Sequence, residues 1–408
     1  MISVVEARDR ILAELAPLPW ETVALSAGHG RVLARDAAAR VMQPPAAVSA
    51  MDGYAVRAVD VAAVPARLKL VGMSRAGEAF AGRLGPGQAV RIFTGAVLPE
   101  GADAVVIQED TEAEGQQPGA IVSVREAAAR GRHVREAGFD FQVGQVGIAA
   151  GRALTARDIG LAAAMNLPWL EVRRRPRIGV LATGDEIVRP GEPIGPSQIV
   201  SSNALALAAL IRGSGGETVD LGIARDRVAS VAEHAAGARG CDLLVTLGGA
   251  SVGEHDLVRE ALAPRGLKLD FWQVAMRPGK PLMFGRVGDI PLLGFPGNPV
   301  ASLVCGLLFL RPALFRLQGC EGGLPDFRPA LLGRDLPAND RREDYMRASA
   351  AWRADGQWEV SPFERQDSSN LLRLARADAL VVRAPHAPAL TAGRPVQALA
   401  LSGTLGGF

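Results

Sequence analysis

Cysteine is scarce in this chain: 408 residues hold only Cys241, Cys305 and Cys320, and no two form a C-x-x-C pair. That spacing excludes a disulfide framework and a cysteine zinc site, and leaves free thiols in a reducing cytoplasm as the expectation. A surplus of one charge is also missing, since the formal net charge is +2. Nothing in the total therefore points to nucleic acid. No apolar run is long enough to span a bilayer, which takes roughly 20 residues; the most membrane-like stretch, 302–310, is far shorter. The N-terminus, Met1-Ile-Ser-Val-Val-Glu-Ala-Arg-Asp-Arg10, mixes charge into a helical pattern and has no signal-peptide core. The five histidines, among them His29, His133, His234 and His255, show no metal-ligand spacing. Neither the Gly-Lys-Ser/Thr ending of a P-loop nor a G-x-G-x-x-G repeat is present, and no internal repeat stands out.

What is there is an ordinary globular composition, 48% apolar and 22% charged, in a chain long enough for roughly two to four domains. Residues 2–16 have helical spacing, and Pro17 and Pro19 end it. From about 20 to 150, short Val/Ile/Leu segments punctuated by Gly and Pro predict a β-rich region. A helix is predicted around 153–166, with Thr155 and Asp158 spaced as a capping box. Arg173-Arg-Arg-Pro176 reads as a solvated linker. After it the pattern alternates strictly: strands at 177–182, 217–221, 241–247, 267–274 and 290–295, and helices at 202–212, 227–238 and 298–310, the last stopped before Pro312. Asp226 and Asn298 are the expected N-caps of the second and third helices. Such alternation implies a parallel three-layer sheet. A second linker at 319–325 precedes short strands in the last eighty or so residues.

The most informative stretch is Thr246-Leu-Gly-Gly-Ala-Ser-Val-Gly-Glu-His-Asp256, a glycine-rich turn with two carboxylates directly after a buried strand. Open α/β sheets bind ligands at the carboxyl ends of their strands, so this loop is a candidate anion and metal site. Thr183-Gly-Asp-Glu186 and Gly294-Phe-Pro-Gly-Asn-Pro299 follow two other strands, and Arg277-Pro-Gly-Lys280-Pro adds two cations. Singly each is a turn signal. Together on one sheet edge they suit phosphoryl or nucleotidyl chemistry. Ser49-Ala-Met-Asp-Gly-Tyr-Ala-Val56, on composition alone, is a hairpin around Asp52-Gly53, and the segment from Thr94 to Asp103 a loop between strands.

These segments, with RIFTGAVLPEGADAVVIQE from Arg91, GVLATGDE ending at Glu186 and GFPGNPVAS from Gly294, resemble the MoeA family, molybdopterin molybdenumtransferase, which corresponds to the gephyrin E domain of animals. The resemblance covers essentially the whole chain. It implies a multidomain α/β plus β protein: a helical linking domain of residues 1–25 and 141–173, a β-rich insert of 26–140, a central three-layer α/β/α domain of 174–320 with a parallel-rich sheet similar to MoaB and Mog, and a C-terminal β domain of 326–408. It implies a cytoplasmic enzyme of molybdenum cofactor biosynthesis that converts adenylylated molybdopterin and molybdate to molybdenum cofactor, releasing AMP with the help of Mg2+. It also implies a homodimer, the α/β domain of one subunit meeting the β domains of the other across a shared cleft. A molybdopterin adenylyltransferase and molybdoenzyme maturation factors are the other partners implied, with neither nucleic acid nor membrane.

The site residues carried over are Asp52, Thr94, Asp140, Glu186, Asp226, Asp256, Arg277, Lys280, Arg347 and Ser368, joined by Gly248, Gly249, Ser251, Pro296, Gly297 and Asn298 as substrate contacts. By charge, Glu186, Asp226 and Asp256 would hold the metal. Lys280, Arg277 and the Gly248 and Gly249 amides would meet phosphate, and Arg347, Ser368 and Thr94 would meet molybdate or the equally sized tungstate. Asp52 and Asp140 would line the opposing wall. The sequence departs from the family at Arg277, commonly lysine, at Gly138-Phe-Asp140 in place of Gly-Glu-Asp, and near Asn370, where many members carry further serines. Two other readings stay open, a molybdopterin adenylyltransferase and a molybdopterin-binding scaffold. The extra β domains weigh against the first, and the lack of a long linker and additional domain against the second.

Overall fold

The structure is a computed structural model and describes residues 1–249, 257–320 and 323–401; Ser251 and Asp256 lie outside these. Its centre is a six-stranded sheet in the order Glu217–Ala224, Arg177–Thr183, Leu243–Leu247, Ile290–Phe295, Met283–Val287, Leu267–Phe271. The first four are mutually parallel. Arg177–Thr183 and Leu243–Leu247 are almost wholly buried along their length, as strands covered on both faces must be. Met283–Val287, which the alternating pattern passed over, runs antiparallel to both neighbours. Val287 pairs with Ile290, so Gly288-Asp289 forms a two-residue turn with Gly288 at φ 58°.

Helices cover both faces. Asn203–Gly213 and Pro299–Leu317 supply Leu207, Ile211, Val300, Val304 and Leu308 to one core, and Val228–Ala236 and Leu257–Leu262 supply Val231, Val258 and Leu262 to the other. The helix expected to stop before Pro312 continues to Leu317. A π-helical turn at Gly306–Leu310 immediately precedes the α-helix Arg311–Leu317, whose second residue is Pro312, and the helical run is continuous through it. This run is apolar and long enough to cross a membrane, but 72% of it is buried in the protein, as in a core helix.

The N-terminal helix Val4–Ala13 also packs on this core. Val4, Ala7 and Ile11 form its buried stripe, which Leu15 continues just beyond its end; Ala275 N–H donates to the Ile2 carbonyl at 2.8 Å, and Leu18 N–H to the Leu317 carbonyl at 2.7 Å. Farther along the chain, Trp20–Ala24 pairs antiparallel with Trp169–Arg173. The basic run beside that strand is not solvated spacer: Arg174 forks onto Asp242 at 2.7 and 3.0 Å, and Arg173 donates to the Leu18 carbonyl. The helix Ala156–Ala164 begins at the Thr155/Asp158 capping box.

Two β regions flank the centre. The N-terminal one is a sheet of Ala104–Ile107, Gly53–Val56, Gln88–Ile92, Ala66–Ser74, Ile121–Val124 and Thr111–Ala113. Asp52-Gly53 is not a hairpin turn, because Val48–Ser49 pairs with Val134–Arg135 while Gly53–Val56 pairs with Gln88–Ile92 and Ala104–Ile107. Glycine is needed at 53 for a different reason: a Cβ there would lie 1.9 Å from the Val106 carbonyl oxygen. At the other end, Glu343–Trp352, Trp358–Pro362, Phe327–Leu332, Pro395–Ala400 and Ala379–Arg383 close into a barrel as the last pairs back onto the first. Met276–Arg277 of the central region adds to it in parallel, alongside Glu343–Asp344.

Candidate active site

The sheet's strand order diverges from Arg177–Thr183, whose chain successor Glu217–Ala224 lies on one side and Leu243–Leu247 on the other. Such a switch point leaves a crevice at the carboxyl ends. A cleft of about 850 Å³ occupies it, lined by Thr183, Gly184, Glu186, Asp226, Gly248 and Gly249, with Pro296, Gly297, Asn298 and Ser201, Ser202, Asn203 completing the wall.

The wall is built by close approach of backbone. Gly184 has φ +143°, and a Cβ on it would come within 2.6 Å of a Glu186 carboxylate oxygen, so only glycine lets that carboxylate fold over the loop. Gly248 and Gly249 have φ of 83° and 67°, and the space beside them is taken by the Thr183 hydroxyl and Val258. The Gly248 N–H donates to the Phe295 carbonyl at 3.1 Å, so of the two expected phosphate donors it is the Gly249 amide that has no other bond among the described residues. Asp226 does not cap the following helix, whose N-cap is Arg227 without a side-chain bond. Its carboxylate accepts from the Asp185 N–H at 3.4 Å while the Asp185 carboxylate accepts from the Asp226 N–H at 3.3 Å, a reciprocal pair that joins two strand ends. Asn298 occupies the N-cap position with Pro299 behind it, yet its amide makes no capping bond and lines the cleft. Asn203 donates to the Gly297 carbonyl at 2.6 Å and holds that loop.

Mg2+ is commonly held by one or two carboxylates together with substrate phosphates. Glu186 and Asp226 share the cleft and supply such a half-site, with Asp256 outside the described residues. No group of three or more His, Cys, Asp or Glu is gathered at metal-ligand spacing among the described residues. The donor set therefore fits a metal shared with a phosphorylated substrate, and no closed protein cage.

The cations are placed differently from the sequence expectation. Arg277 lies off the cleft wall and is tied to the barrel: it pairs with Asp344, reaches Asp340 at 3.3 Å and donates to Asn339 Oδ1 at 3.3 Å. These bonds, Asp344 first, raise its pKa further. Its guanidinium is thus already engaged by acceptors of the C-terminal region. Lys280 makes no ion pair among the described residues, and its neighbour Pro281 lines the cleft. Arg347 is wholly buried, and none of its three guanidinium nitrogens has an acceptor among the described residues. Burial pulls its pKa down against the fields of Asp344 and Asp367. The segment above it is fixed by Gln366, which bonds both the Arg347 N–H and carbonyl, and by Val300 N–H donating to the Ser368 carbonyl at 3.1 Å. It is Ser369, one residue beyond the serine expected, that lines the cleft.

Asp52 and Thr94 form a unit of their own. One Asp52 oxygen accepts the Thr94 N–H at 2.7 Å and its hydroxyl at 2.8 Å, and these bonds, with Arg91 nearby, hold the carboxyl below its ordinary pKa. The single hydroxyl proton of Thr94 is therefore committed to Asp52. Arg91 stacks on Tyr54 and Phe93 and donates to the Gly53 carbonyl and Gln108. Neither residue of the pair lines the cleft of its own chain, nor does Asp140, which donates its N–H to the Gln43 carbonyl.

Three family models match the chain in succession: the MoeA N-terminal region (domain I and II) over residues 2–166, a "Probable molybdopterin binding domain" over 179–316, and the MoeA C-terminal region (domain IV) over 329–401. A molybdopterin molybdenumtransferase of Nostoc sp. is 38% identical over 93% of this chain and 88% of its own. One from Haemophilus influenzae is 32% identical over 97% and 98%. The chain belongs to the MoeA family. A crystal structure of a MoeA molybdopterin biosynthesis protein from Pyrococcus horikosii superposes with a TM-score of 0.85 at 30% identity, covering 99% of this chain and 100% of that one.

Within the MoeA layout, Glu186, Asp226, Gly248, Gly249, Pro296, Gly297 and Asn298 meet around one cleft inside the region matched as molybdopterin-binding. Arg347 and Ser368 lie in the C-terminal region, and Asp52, Thr94 and Asp140 in the N-terminal one. The sequence reading placed the loop from Thr183 at this edge but missed Ser201, Asn203 and Ser369 on the wall. A signal was there for two of them: Ser201-Ser202-Asn203 is a polar cluster at a predicted helix start, facing the same strand ends.

Proposed function

We propose that this chain is a molybdopterin molybdenumtransferase, converting adenylylated molybdopterin and molybdate to molybdenum cofactor with release of AMP. The supporting observation is the cleft at the switch point, where two carboxylates and several uncommitted donors share a cavity of ligand size within the region matched as molybdopterin-binding. The Gly249 amide and the Asn298 side chain would bind phosphate oxygens, with the Lys280 charge next to Pro281 of the wall. Glu186 and Asp226 would hold Mg2+, with Asp256 a third candidate. Bound there, the ion would neutralise charge building on the phosphoanhydride as it breaks. The buried Arg347 guanidinium, with five N–H donors in a planar fork, suits the tetrahedral oxyanion. Thr94, its proton given to Asp52, would keep that carboxylate oriented and ionised.

The protein acts, on this reading, as a cytoplasmic homodimer. Asp52, Thr94 and Asp140 do not reach the cleft of their own chain, and a second subunit can bring them there. The three cysteines are free, as suits a reducing compartment.

The test is AMP release from purified adenylylated molybdopterin in the presence of molybdate and magnesium. The wild-type chain should release AMP and form active cofactor, and Glu186→Ala should lose about 100-fold or more in rate while keeping its oligomeric state. A normal rate in that variant sinks the metal assignment. Pterin binding without turnover would favour the scaffold, and ATP consumption the adenylyltransferase.

A further inference from the structure

We propose that Asp344 is a positioning residue of the transfer reaction: with Arg277 it clamps the C-terminal barrel to the α/β domain and so fixes Arg347 relative to the cleft. The inference rests on the reading of Arg347 as the oxyanion partner.

Asp344 is a nearly buried carboxylate, 5% exposed, at the strand pairing that joins Met276–Arg277 to Glu343–Asp344. Backbone bonds already connect the two segments there, Glu343 N–H donating to the Ala275 carbonyl at 2.9 Å. The Arg277 guanidinium closes on Asp344 from the other domain and extends to Asp340 and Asn339. Asn339 in turn donates to the carbonyls of Arg342, Arg383 and Ala384, which binds the barrel's end to the same knot.

The clamp stands between two functional positions. On one side Arg277 is four residues from Pro281 of the cleft wall, through a loop with little room to give: a Cβ on Gly279 would lie 2.7 Å from the sulfur of Cys305, on the helix that starts at Pro299. On the other side Asp344 is three residues from Arg347 along one continuous strand. Arg347 and Arg383 are both buried with nitrogens lacking acceptors among the described residues, and Asp344 is the carboxylate whose field opposes that burial at both, joined at Arg347 by Asp367. Removing the carboxylate would leave Arg277 with only its longer bonds to Asp340 and Asn339 and take from three cations at the junction the counter-charge they share.

The experiment compares Asp344→Asn, Arg277→Met, the double variant and Arg277→Lys in the full-length protein. It measures KM for molybdate, kcat for AMP release and Kd for adenylylated molybdopterin, with folding checked by thermal melts. Each single variant should raise the molybdate KM about tenfold or more while leaving the pterin Kd within about threefold. The double variant should be no worse than the worse single, as expected for partners in one interaction. Arg277→Lys, which keeps the charge, should recover much of the loss. A folded Asp344→Asn with a molybdate KM within about twofold of wild type overturns the proposal. So does weakened pterin binding in Arg277→Met alone, which would make Arg277 a phosphate ligand. If Asp344→Asn does not fold, Arg277→Met breaks the same contact from its more exposed side and decides the matter. Arg347→Met run in parallel separates the two levels: an unchanged molybdate KM there sinks the reading of Arg347, whatever Asp344 does.

Discussion

Replacing Arg347 by methionine should stabilise the ligand-free protein while removing its response to molybdate. The guanidinium is fully buried, and its Nε, Nη1 and Nη2 find no acceptor among the described residues. Each buried donor left without a partner costs about 1–3 kcal/mol, and exchange of buried charge for apolar volume is often stabilising by about 1–4 kcal/mol. Two terms reduce the gain, because Asp344 and Asp367 lose a favourable field and methionine fills less of the space. The bonds to Gln366 use the main chain of residue 347, so they survive the substitution. A net gain of about 1–2 kcal/mol is expected. Urea denaturation gives the sign in the absence of oxyanion. For the wild type, molybdate at about 100 times its Kd should add about 2.7 kcal/mol by linkage, and for Arg347→Met almost nothing. A variant that loses more than about 1 kcal/mol, or that keeps the molybdate increment, refutes the view of Arg347 as a cation held ready for an anion.

In the N-terminal sheet, Gly53→Ala should cost about 3 kcal/mol or more, because its Cβ would lie 1.9 Å from the Val106 carbonyl oxygen; chemical denaturation followed on that sheet reads it, and a near-neutral effect contradicts the packing. Acid should act late at the barrel junction. Asp340 is held at about 2 by bonds from Arg342, below the ordinary 3.8, so its contribution is complete above 3.8 and is lost as pH falls through about 2. Carboxyl-carbon NMR titration should show that midpoint, and Asp52 should likewise titrate below 3.8 until Thr94→Ala moves it upward. Subunit sharing is tested by mixing Asp52→Asn with Glu186→Ala after dissociation. If the cleft draws on two chains, half of the dimers in an equal mixture are mixed, each has one intact site, and about a quarter of wild-type activity returns. No recovery in mixed dimers of proven composition would mean that both residues act within one chain.

What was legible in the sequence was whatever a local rule could carry. The runs at Arg177–Thr183 and Leu243–Leu247 are mostly apolar because helices cover both faces, and this located the strand ends where Gly184 and Gly248 turn. The hidden strand Met283–Val287 was masked by the prolines around Lys280 and betrayed only by Gly288-Asp289. Partner choice was not legible, since no local pattern reports which distant group a charge meets. Asp226 has the residue type of a helix cap and instead locks to Asp185, and Arg277, read as a phosphate ligand, also binds Asp344. Asp52-Gly53 has the signature of a hairpin, yet the glycine is demanded by a strand fifty residues away. In each case the short-range signal picked out the residue and carried no information about the distant group it meets. Substitutions that preserve local propensity but alter reach therefore separate the two causes. Asp226→Asn keeps the acceptor oxygen of an N-cap, so loss of AMP release in that variant, with the helix Val228–Ala236 intact by hydrogen exchange, would trace its role to the cleft and leave none for capping.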